Sequence, residues 1–275
     1  MKDNWKTIRK EEVSNLIEAR KALHQVVQLV SAFPRKILPA DPTDESASLV
    51  WSEKLGGLQS NATDDDINVS IALSFVDFKL LILQGENLIS ELSMEGKSVN
   101  EGLEWLKSET SKLSQAGDQI NLDLPYEIES YDYSQALHSD VNAIDVYTAL
   151  FSNSNQILQA GVSKWENAHD VRCWPHHFDL ATLIPFQHDE NGELTKSIGI
   201  GMSPGDDGIN EPYFYVNIWP NVNYDELSKH SLENGHWNKK GWSGAVLIYT
   251  DFVDRDQKSI VQNFIESVIQ ILRNQ

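Results

Sequence analysis

Apolar residues recur every three or four positions between residues 11 and 33, and this spacing predicts an amphipathic helix. Pro34 is expected to end that helix, because proline has no N–H donor and its ring clashes with the preceding turn. The same criteria predict three further helices: one that begins at the capping-box pair Ser98 and Glu101, one that runs from about Tyr133 or Asp140 to Trp165, and one over Gln257–Leu272.

Between the helices, apolar and polar residues alternate, which is the pattern of half-buried strands. Strands are predicted at 48–59, where Gly56-Gly57 breaks or bulges the strand, at 68–83 with a hairpin turn or kink near Val76 and Asp77, at 172–186, and over Leu194–Met202, Tyr213–Trp219 and Ala245–Tyr249. The Asn191-Gly192 pair suits the positive φ angles of a tight hairpin turn. Hairpins between helices favour an antiparallel sheet.

Helices and strands follow the same order in both parts of the chain. This order predicts an α+β fold of two similar helix–strands–helix halves with a mainly antiparallel sheet. The N-terminal half is expected over residues 1–128, and the C-terminal half, which carries the WPHHFD segment, over 129–275. Trp51 and Trp174 lie at comparable points after the first loop of each half. An internal duplication explains this order, and chance recurrence in an α+β chain is the alternative.

The chain is strongly acidic, with 22 Lys and Arg residues against 41 Asp and Glu residues and a formal net charge of −19. Such a charge repels phosphate backbones and anionic lipid, so no nucleic-acid or membrane partner is expected. Cys173 is the single cysteine and cannot form an internal disulfide. The first 20 residues lack an apolar signal segment, and no apolar run approaches the length of a membrane span. The sequence therefore predicts a cytoplasmic protein.

Several short blocks along the chain carry a family resemblance. They are ALHQVVQLVSAF in the first predicted helix, FVDFKLLI in a predicted strand, WPHHFDLAT, and SPGDDGINEPYFYVNIWP. In these blocks and in their order the chain resembles a bacterial family of unknown function, family 5996. The most specific pieces are Phe178–Ala181 and Glu211–Tyr215, and the likeness runs from about Leu23 to Trp219. The resemblance implies a two-part architecture and no established reaction.

The densest group of reactive residue types is the segment CWPHHFD at residues 173–179. If this segment is a strand, His177 and Asp179 share one face, where they could flank a divalent metal ion or act as a base and its orienting carboxylate. Glu211 is chosen as the third metal ligand. The other candidates for that position are Asp206, Asp207, His230 and His236. The structural alternative is a solvated pair, because two ligands do not make a metal site.

The predicted strand Tyr213–Trp219 carries a second candidate site. Its aliphatic residues and Phe214 are expected to face the core, whereas the opposite face is amphipathic enough to line a small-molecule pocket. Simple packing of these aromatic rings beneath a helix is the alternative. If this face coincides with that of the His–Asp pair, the ligand-binding set is His177, Asp179, Tyr213, Tyr215, Asn217 and Trp219.

The sequence favours a small-ligand-binding module as the function, and it assigns no catalytic residue. A metal-assisted hydrolase or related enzyme built on His177 and Asp179 is the second interpretation. A scaffold or homodimeric interaction protein is the third. An aromatic cleft without a converging acid, base and nucleophile would favour the binding module, whereas three ligands within about 2.0 to 2.2 Å of one metal ion would favour the enzyme.

Overall fold

The structure, a computed structural model, describes residues 4–39, 44–63, 68–113 and 117–275. The helices are α1 (Val13–Ile37), α2 (Val99–Thr110), α3 (Val141–Val162), α4 (Tyr224–Leu227), α5 (Tyr249–Phe252) and α6 (Gln257–Leu272). The strands are β1 (Leu49–Ser52), β2 (Gly57–Ser60), β3 (Val69–Ser74), β4 (Lys79–Gln84), β5 (Asn87–Ser93), β6 (Arg172–Trp174), β7 (Asp179–His188), β8 (Leu194–Ser203), β9 (Tyr213–Trp219), β10 (His236–Trp237) and β11 (Gly244–Ile248). Helices combined with mainly antiparallel strands confirm the predicted α+β class.

The described residues form two compact units. The N-terminal unit comprises the described residues between Ser14 and Thr148 together with Arg172–Phe178, and the C-terminal unit comprises residues 4–13, Ala149–Val171 and Asp179–Gln275. The boundary predicted between residues 128 and 129 falls inside the N-terminal unit, and helix α3 is divided between the units. The hypothesis of two similar halves and its explanation by duplication stay predictions.

In the N-terminal unit, β1 to β5 form an antiparallel meander, and β6 pairs with the free side of β1. The turn or kink predicted near Val76 and Asp77 is a turn that joins β3 to β4. The segment 48–59 is interrupted at the predicted glycine pair, and the interruption is a full hairpin between β1 and β2. Its turn ends at Gly56, which has a φ of +56°, and a Cβ on the next residue, Gly57, would lie 1.9 Å from a backbone oxygen. The two glycines therefore allow the chain to reverse.

Helix α1 continues through Pro34 to Ile37, so the prediction that Pro34 ends it was wrong. The fixed φ of proline is compatible with a helix, and its main cost is one hydrogen bond to the preceding turn. Leu38 N then donates to Pro34 O at 2.8 Å, which closes the last turn. Every residue from Ala22 to Pro34 is buried, including the polar ones. Burial on all sides, rather than on one stripe, makes α1 the central helix of its unit.

In the C-terminal unit, β7, β8, β9, β11 and β10 pair in that order, and every pair is antiparallel. The β7–β8 hairpin closes at the predicted Asn191-Gly192 turn, where Gly192 has a φ of +82°. Helix α6 spans the predicted residues and packs against β8, β9 and β11. Phe214, Val216 and Ile218 are buried, as predicted for the core face of β9.

Ser98 and Glu101 cap helix α2 as the sequence predicts. Ser98 Oγ accepts a hydrogen bond from Glu101 N at 3.2 Å, and Ser98 N donates to Glu101 Oε2 at 2.9 Å. The bond from the Ser98 backbone is the main cause that lowers the pKa of Glu101 to about 2. Both N–H groups at the start of the helix are thereby satisfied.

We predict that Ser98→Ala lowers the free energy of unfolding by about 1 kcal/mol, because the Glu101 N–H loses its acceptor. Urea unfolding followed by circular dichroism measures the change. Ser108→Ala is the control, since Ser108 is an exposed residue inside the same helix. Equal stabilities of the two variants would show that the cap does not stabilise α2.

Candidate functional site

The WPHHFD segment is not one continuous strand. Strand β6 ends at Trp174, residues 175–178 form a turn, and β7 begins at Asp179. Phe178 has a φ of +57°, a left-handed conformation that interrupts the alternation of side chains. The inference that His177 and Asp179 share a strand face was therefore wrong. His177 is exposed in the N-terminal unit, whereas Asp179 belongs to the C-terminal unit and is 8% exposed.

Two side chains of α1 hold this turn by a single carbonyl group. His24 Nε2 lies 2.9 Å from Pro175 O, and Gln28 Nε2 donates to the same oxygen at 2.8 Å. The His24 ring also stacks on Phe178, with parallel planes and ring centroids 5.5 Å apart. A buried carbonyl requires hydrogen-bond donors, and here α1 supplies two. The turn is therefore fixed to the central helix of its unit.

The His24 ring has a polar partner at each nitrogen. Because Pro175 O can only accept, Nε2 carries a proton. Nδ1 lies 3.1 Å from the Tyr131 hydroxyl, which itself donates to Glu129 Oε2 at 3.2 Å. Burial lowers the pKa of His24 to about 4, although the bond to Pro175 opposes this shift. The buried imidazole is therefore neutral at pH 7.

The two histidines of the turn lie side by side. The rings of His176 and His177 have centroids 4.1 Å apart, and the Tyr126 ring lies 5.2 Å from His176. Burial is the main cause that lowers the pKa of His176 to about 4, and His177 contributes to the same shift. The Tyr126 hydroxyl donates to Gln28 Oε1 at 2.9 Å, which extends the network that holds the turn.

Sequence analysis missed the residues that support this turn. His24 and Gln28 are polar residues four apart in a run that is otherwise mostly apolar. That spacing places them on one helix face, and this is the signal that could have marked them. Tyr126 and Tyr131 lie in an irregular segment, where no periodicity indicates their partners.

The polar residues of β9 lie on the face that the sequence predicts, and three of them bond to other residues of the C-terminal unit. The Tyr215 hydroxyl donates to Asp179 Oδ2 at 2.5 Å, and the Tyr213 hydroxyl donates to Asp206 Oδ2 at 2.5 Å. Asn217 Oδ1 accepts from the backbone of β8 at 3.0 Å. Burial, followed by the bond to Asp206, raises the pKa of the Tyr213 hydroxyl. Of this predicted set, Trp219 is 54% exposed.

Two glycines of β8 make room for these side chains. Gly201 pairs with Tyr215, and Gly199 pairs with Asn217. A Cβ atom would lie 2.5 Å from the Tyr215 hydroxyl at Gly201 and 2.4 Å from Asn217 Oδ1 at Gly199. The Tyr215 side chain therefore crosses β8 to reach Asp179 on β7.

The predicted metal ligands are not supported by the structure. Glu211 Oε2 accepts a hydrogen bond from Thr250 N at 2.8 Å. Within the described residues, no group of three or more His, Cys, Asp or Glu side chains is arranged to hold a metal ion. The set of His177, Asp179 and Glu211 stays a prediction.

The C-terminal unit contains a cavity of about 460 Å³ that is open to solvent and that sequence analysis did not find. Its lining combines two apolar residues with two opposite charges, an amide and an imidazole: Pro185, Phe186, Glu166, Arg273, Asn167 and His188. We refer to this feature as the β7 cavity, because three of the six residues lie at the end of strand β7.

An irregularity of β7 directs these three residues to the cavity. The register passes from Pro185 opposite Ser197 to Gln187 opposite Lys196, so Phe186 is an extra residue on β7. Pro185 has no N–H to donate to the ladder, which is typical of a bulge position. In a regular strand, successive side chains face opposite sides, but a bulge redirects one of them. Pro185 and Phe186 therefore both line the cavity.

The loop after α3 forms a second wall of the cavity. The Trp165 ring covers Gly161, where a Cβ atom would lie 2.2 Å from it. Asn167 then turns the chain with a φ of +60°. His169 N donates to Leu183 O at 2.8 Å, and Thr182 Oγ1 donates to His169 O at 2.6 Å. These two bonds hold the loop, with Glu166 and Asn167, against β7.

The end of α6 forms the third wall. Arg273 follows the last helical residue, and its N–H donates to Ile269 O at 3.0 Å. Lys196 Nζ donates to Gln275 O at 3.3 Å, which ties the segment after α6 to β8. Arg273 is thereby placed beside the irregular end of the β7–β8 hairpin.

Comparison with known families identifies the chain at the level of a family. The model of a family of unknown function (DUF5996) matches residues 10–272, so the chain belongs to this family and the predicted resemblance is confirmed. No curated protein and no solved structure matches the chain. In the part of the chain that the structure describes, every helix is too short or too polar to cross a membrane.

We predict that Gly201→Ala lowers the free energy of unfolding by about 1 to 3 kcal/mol, because the new methyl group collides with the Tyr215 side chain. Denaturant unfolding measures this cost in the wild-type and Tyr215→Ala backgrounds. The loss of unfolding free energy caused by Gly201→Ala should be much smaller in the Tyr215→Ala background, where the ring is removed. An equal cost in both would contradict the placement of Tyr215 across β8.

We predict that His24 makes stability depend on pH between about 6.5 and 4. Its folded-state pKa of about 4 lies below the ordinary value of 6.5, so the unfolded chain binds a proton first as the pH falls. The stabilisation is present above pH 6.5 and is lost as the pH falls to about 4. The wild type should lose up to about 3 kcal/mol more than His24→Gln over this range.

Urea unfolding at several pH values measures this difference, and NMR titration of the His24 imidazole measures the pKa directly. His176 is retained in both proteins, so its own titration does not enter the comparison. A His24 pKa near 6.5, or identical pH profiles, would contradict the buried neutral imidazole.

Proposed function

We propose that this protein is a small-ligand-binding module whose ligand occupies the β7 cavity. The observation that carries the proposal is the cavity itself. Its volume of about 460 Å³ falls within the range of roughly 300 to 1,000 Å³ that is usual for small-molecule sites. Pro185 and Phe186 supply apolar surface, and the other four lining residues supply polar groups that can orient a ligand.

The polar groups of the cavity differ in their hydrogen bonding from the polar side chains of β9. Tyr213, Tyr215 and Asn217 use their polar atoms to bond to the protein, as described above. Among the described residues, the side chains of Glu166, His188 and Arg273 form no hydrogen bond or salt bridge with the protein. All three residues are exposed, so their polar atoms are accessible to solvent or to a ligand.

The metal-assisted hydrolase ranks second, because no group of three or more His, Cys, Asp or Glu side chains in the described ranges is arranged to hold a metal ion. The scaffold or homodimer stays an open prediction. The proposal places the protein in the cytoplasm, since a single cysteine allows no internal disulfide. It names no nucleic-acid or membrane partner, because the net charge is −19.

We predict that His188→Trp weakens ligand binding, because the larger side chain occupies part of the cavity. The full chain is screened by two-dimensional NMR against a fragment library that includes neutral, anionic, cationic and zwitterionic compounds. Wild-type protein should show saturable shifts at the lining residues, and these shifts should require higher fragment concentrations in His188→Trp.

Gln187→Trp is the matched control, since Gln187 is the exposed neighbour of His188 and does not line the cavity. It should bind like the wild type. The proposal is contradicted if no fragment shifts the lining residues, or if the two tryptophan variants lose binding equally.

A further inference from the structure

We infer that the ligand of the β7 cavity carries both a carboxylate and an ammonium group on a small apolar body, as an amino acid does. The inference rests on the proposed function of the cavity and specifies the chemistry of its ligand. It depends on the two opposite charges of the lining, Glu166 and Arg273, and on its two apolar residues, Pro185 and Phe186.

The two charged side chains line the same cavity without pairing with each other. In the described part of the chain, neither Glu166 nor Arg273 forms a salt bridge. Other charges of the same chain are paired: Arg35 lies 2.8 Å from Asp44, and Lys79 lies 2.7 Å from Glu91. A carboxylate and a guanidinium therefore line one cavity without direct contact, and a ligand with complementary charges can pair with each.

Each charged group selects a different part of the ligand. The guanidinium of Arg273 is planar and always protonated, and its parallel N–H groups match the two oxygens of a carboxylate. The Glu166 carboxylate can only accept hydrogen bonds when ionised, and an ammonium group donates up to three. Asn167 and His188 can add further hydrogen bonds at the same site.

The charge of the whole chain disfavours a purely anionic ligand. At −19, the protein repels a purely anionic molecule before it reaches Arg273. A purely cationic molecule would place its charge near the Arg273 guanidinium. A zwitterion avoids both penalties, since its two charges cancel at a distance and pair separately inside the cavity.

The remaining lining residues define the body of the ligand. Pro185 and Phe186 face the cavity together because of the β7 bulge. They offer a ring and an aromatic surface that exclude water from an apolar group. A small amino acid with an apolar side chain has the carboxylate, the ammonium group and the apolar body that the lining calls for.

The test compares one amino acid with two analogues that each lack one charge. L-phenylalanine carries both charges, N-acetyl-L-phenylalanine lacks the ammonium, and L-phenylalanine amide lacks the carboxylate. Isothermal titration and NMR with the full chain measure the three affinities. L-phenylalanine should bind roughly tenfold or more tightly than either analogue, because each charge-assisted hydrogen bond contributes separately.

Two variants assign each charge of the ligand to its partner. Arg273→Gln should reduce the affinity for L-phenylalanine to that of the amide, and Glu166→Gln should reduce it to that of the N-acetyl compound. Arg255→Gln and Glu190→Gln are the controls, since both residues are exposed and do not line the cavity. They change the net charge by the same amount and should leave all three affinities unchanged.

The outcomes separate this inference from the proposed function. If library fragments shift the lining residues but L-phenylalanine binds no better than its single-charge analogues, the zwitterion inference is wrong and the cavity remains a ligand site. Loss of L-phenylalanine binding in the control variants as well would also overturn it, because bulk charge would then explain the affinity. If no compound shifts the lining residues, both proposals are wrong.

Discussion

The candidate site depends on one constraint, the absence of an N–H donor at Pro185 near the end of strand β7. The ladder between β7 and β8 shifts register there, and Phe186 becomes an extra residue. As a result, two successive side chains face the same cavity, which a regular strand does not allow. The loop after α3 and the end of α6 then complete the walls, since backbone and side-chain hydrogen bonds fix both beside the hairpin.

In the N-terminal unit, the constraint is the hydrogen bonding of buried polar side chains. The central helix α1 is buried on all sides between Ala22 and Pro34, so the polar residues within it require internal partners. His24 and Gln28 meet this requirement at the carbonyl of Pro175. Burial keeps His24 neutral. The turn at residues 175–178 is thereby bonded to the buried helix of its own unit.

Periodicity predicted most of the helices and strands, because their burial follows from local alternation. Helix α6, the cap of α2 and the Asn191-Gly192 turn are examples in which neighbouring residues carry all of the information. The failures occurred where a local signal competes with tertiary packing. Pro34 remains helical inside a buried helix, and Phe178 adopts a left-handed conformation that nothing in its neighbours requires.

The candidate site was less predictable than the fold. The strand model correctly placed Tyr213, Tyr215 and Asn217 on one face, but it could not show that their polar atoms bond to the protein. The six residues of the β7 cavity come from three segments far apart in the chain, and only the proline within a predicted strand offered a local signal. The pairing of His177 with Asp179 rested on a strand that the structure replaces with a turn.

The most direct test of the account is a crystal structure of the full chain grown with L-phenylalanine. The account predicts the amino acid in the β7 cavity, with its carboxylate against Arg273, its ammonium against Glu166 and its ring against Phe186. An amino acid bound at another place in the chain, or a reversed orientation with the ammonium beside Arg273, would contradict it.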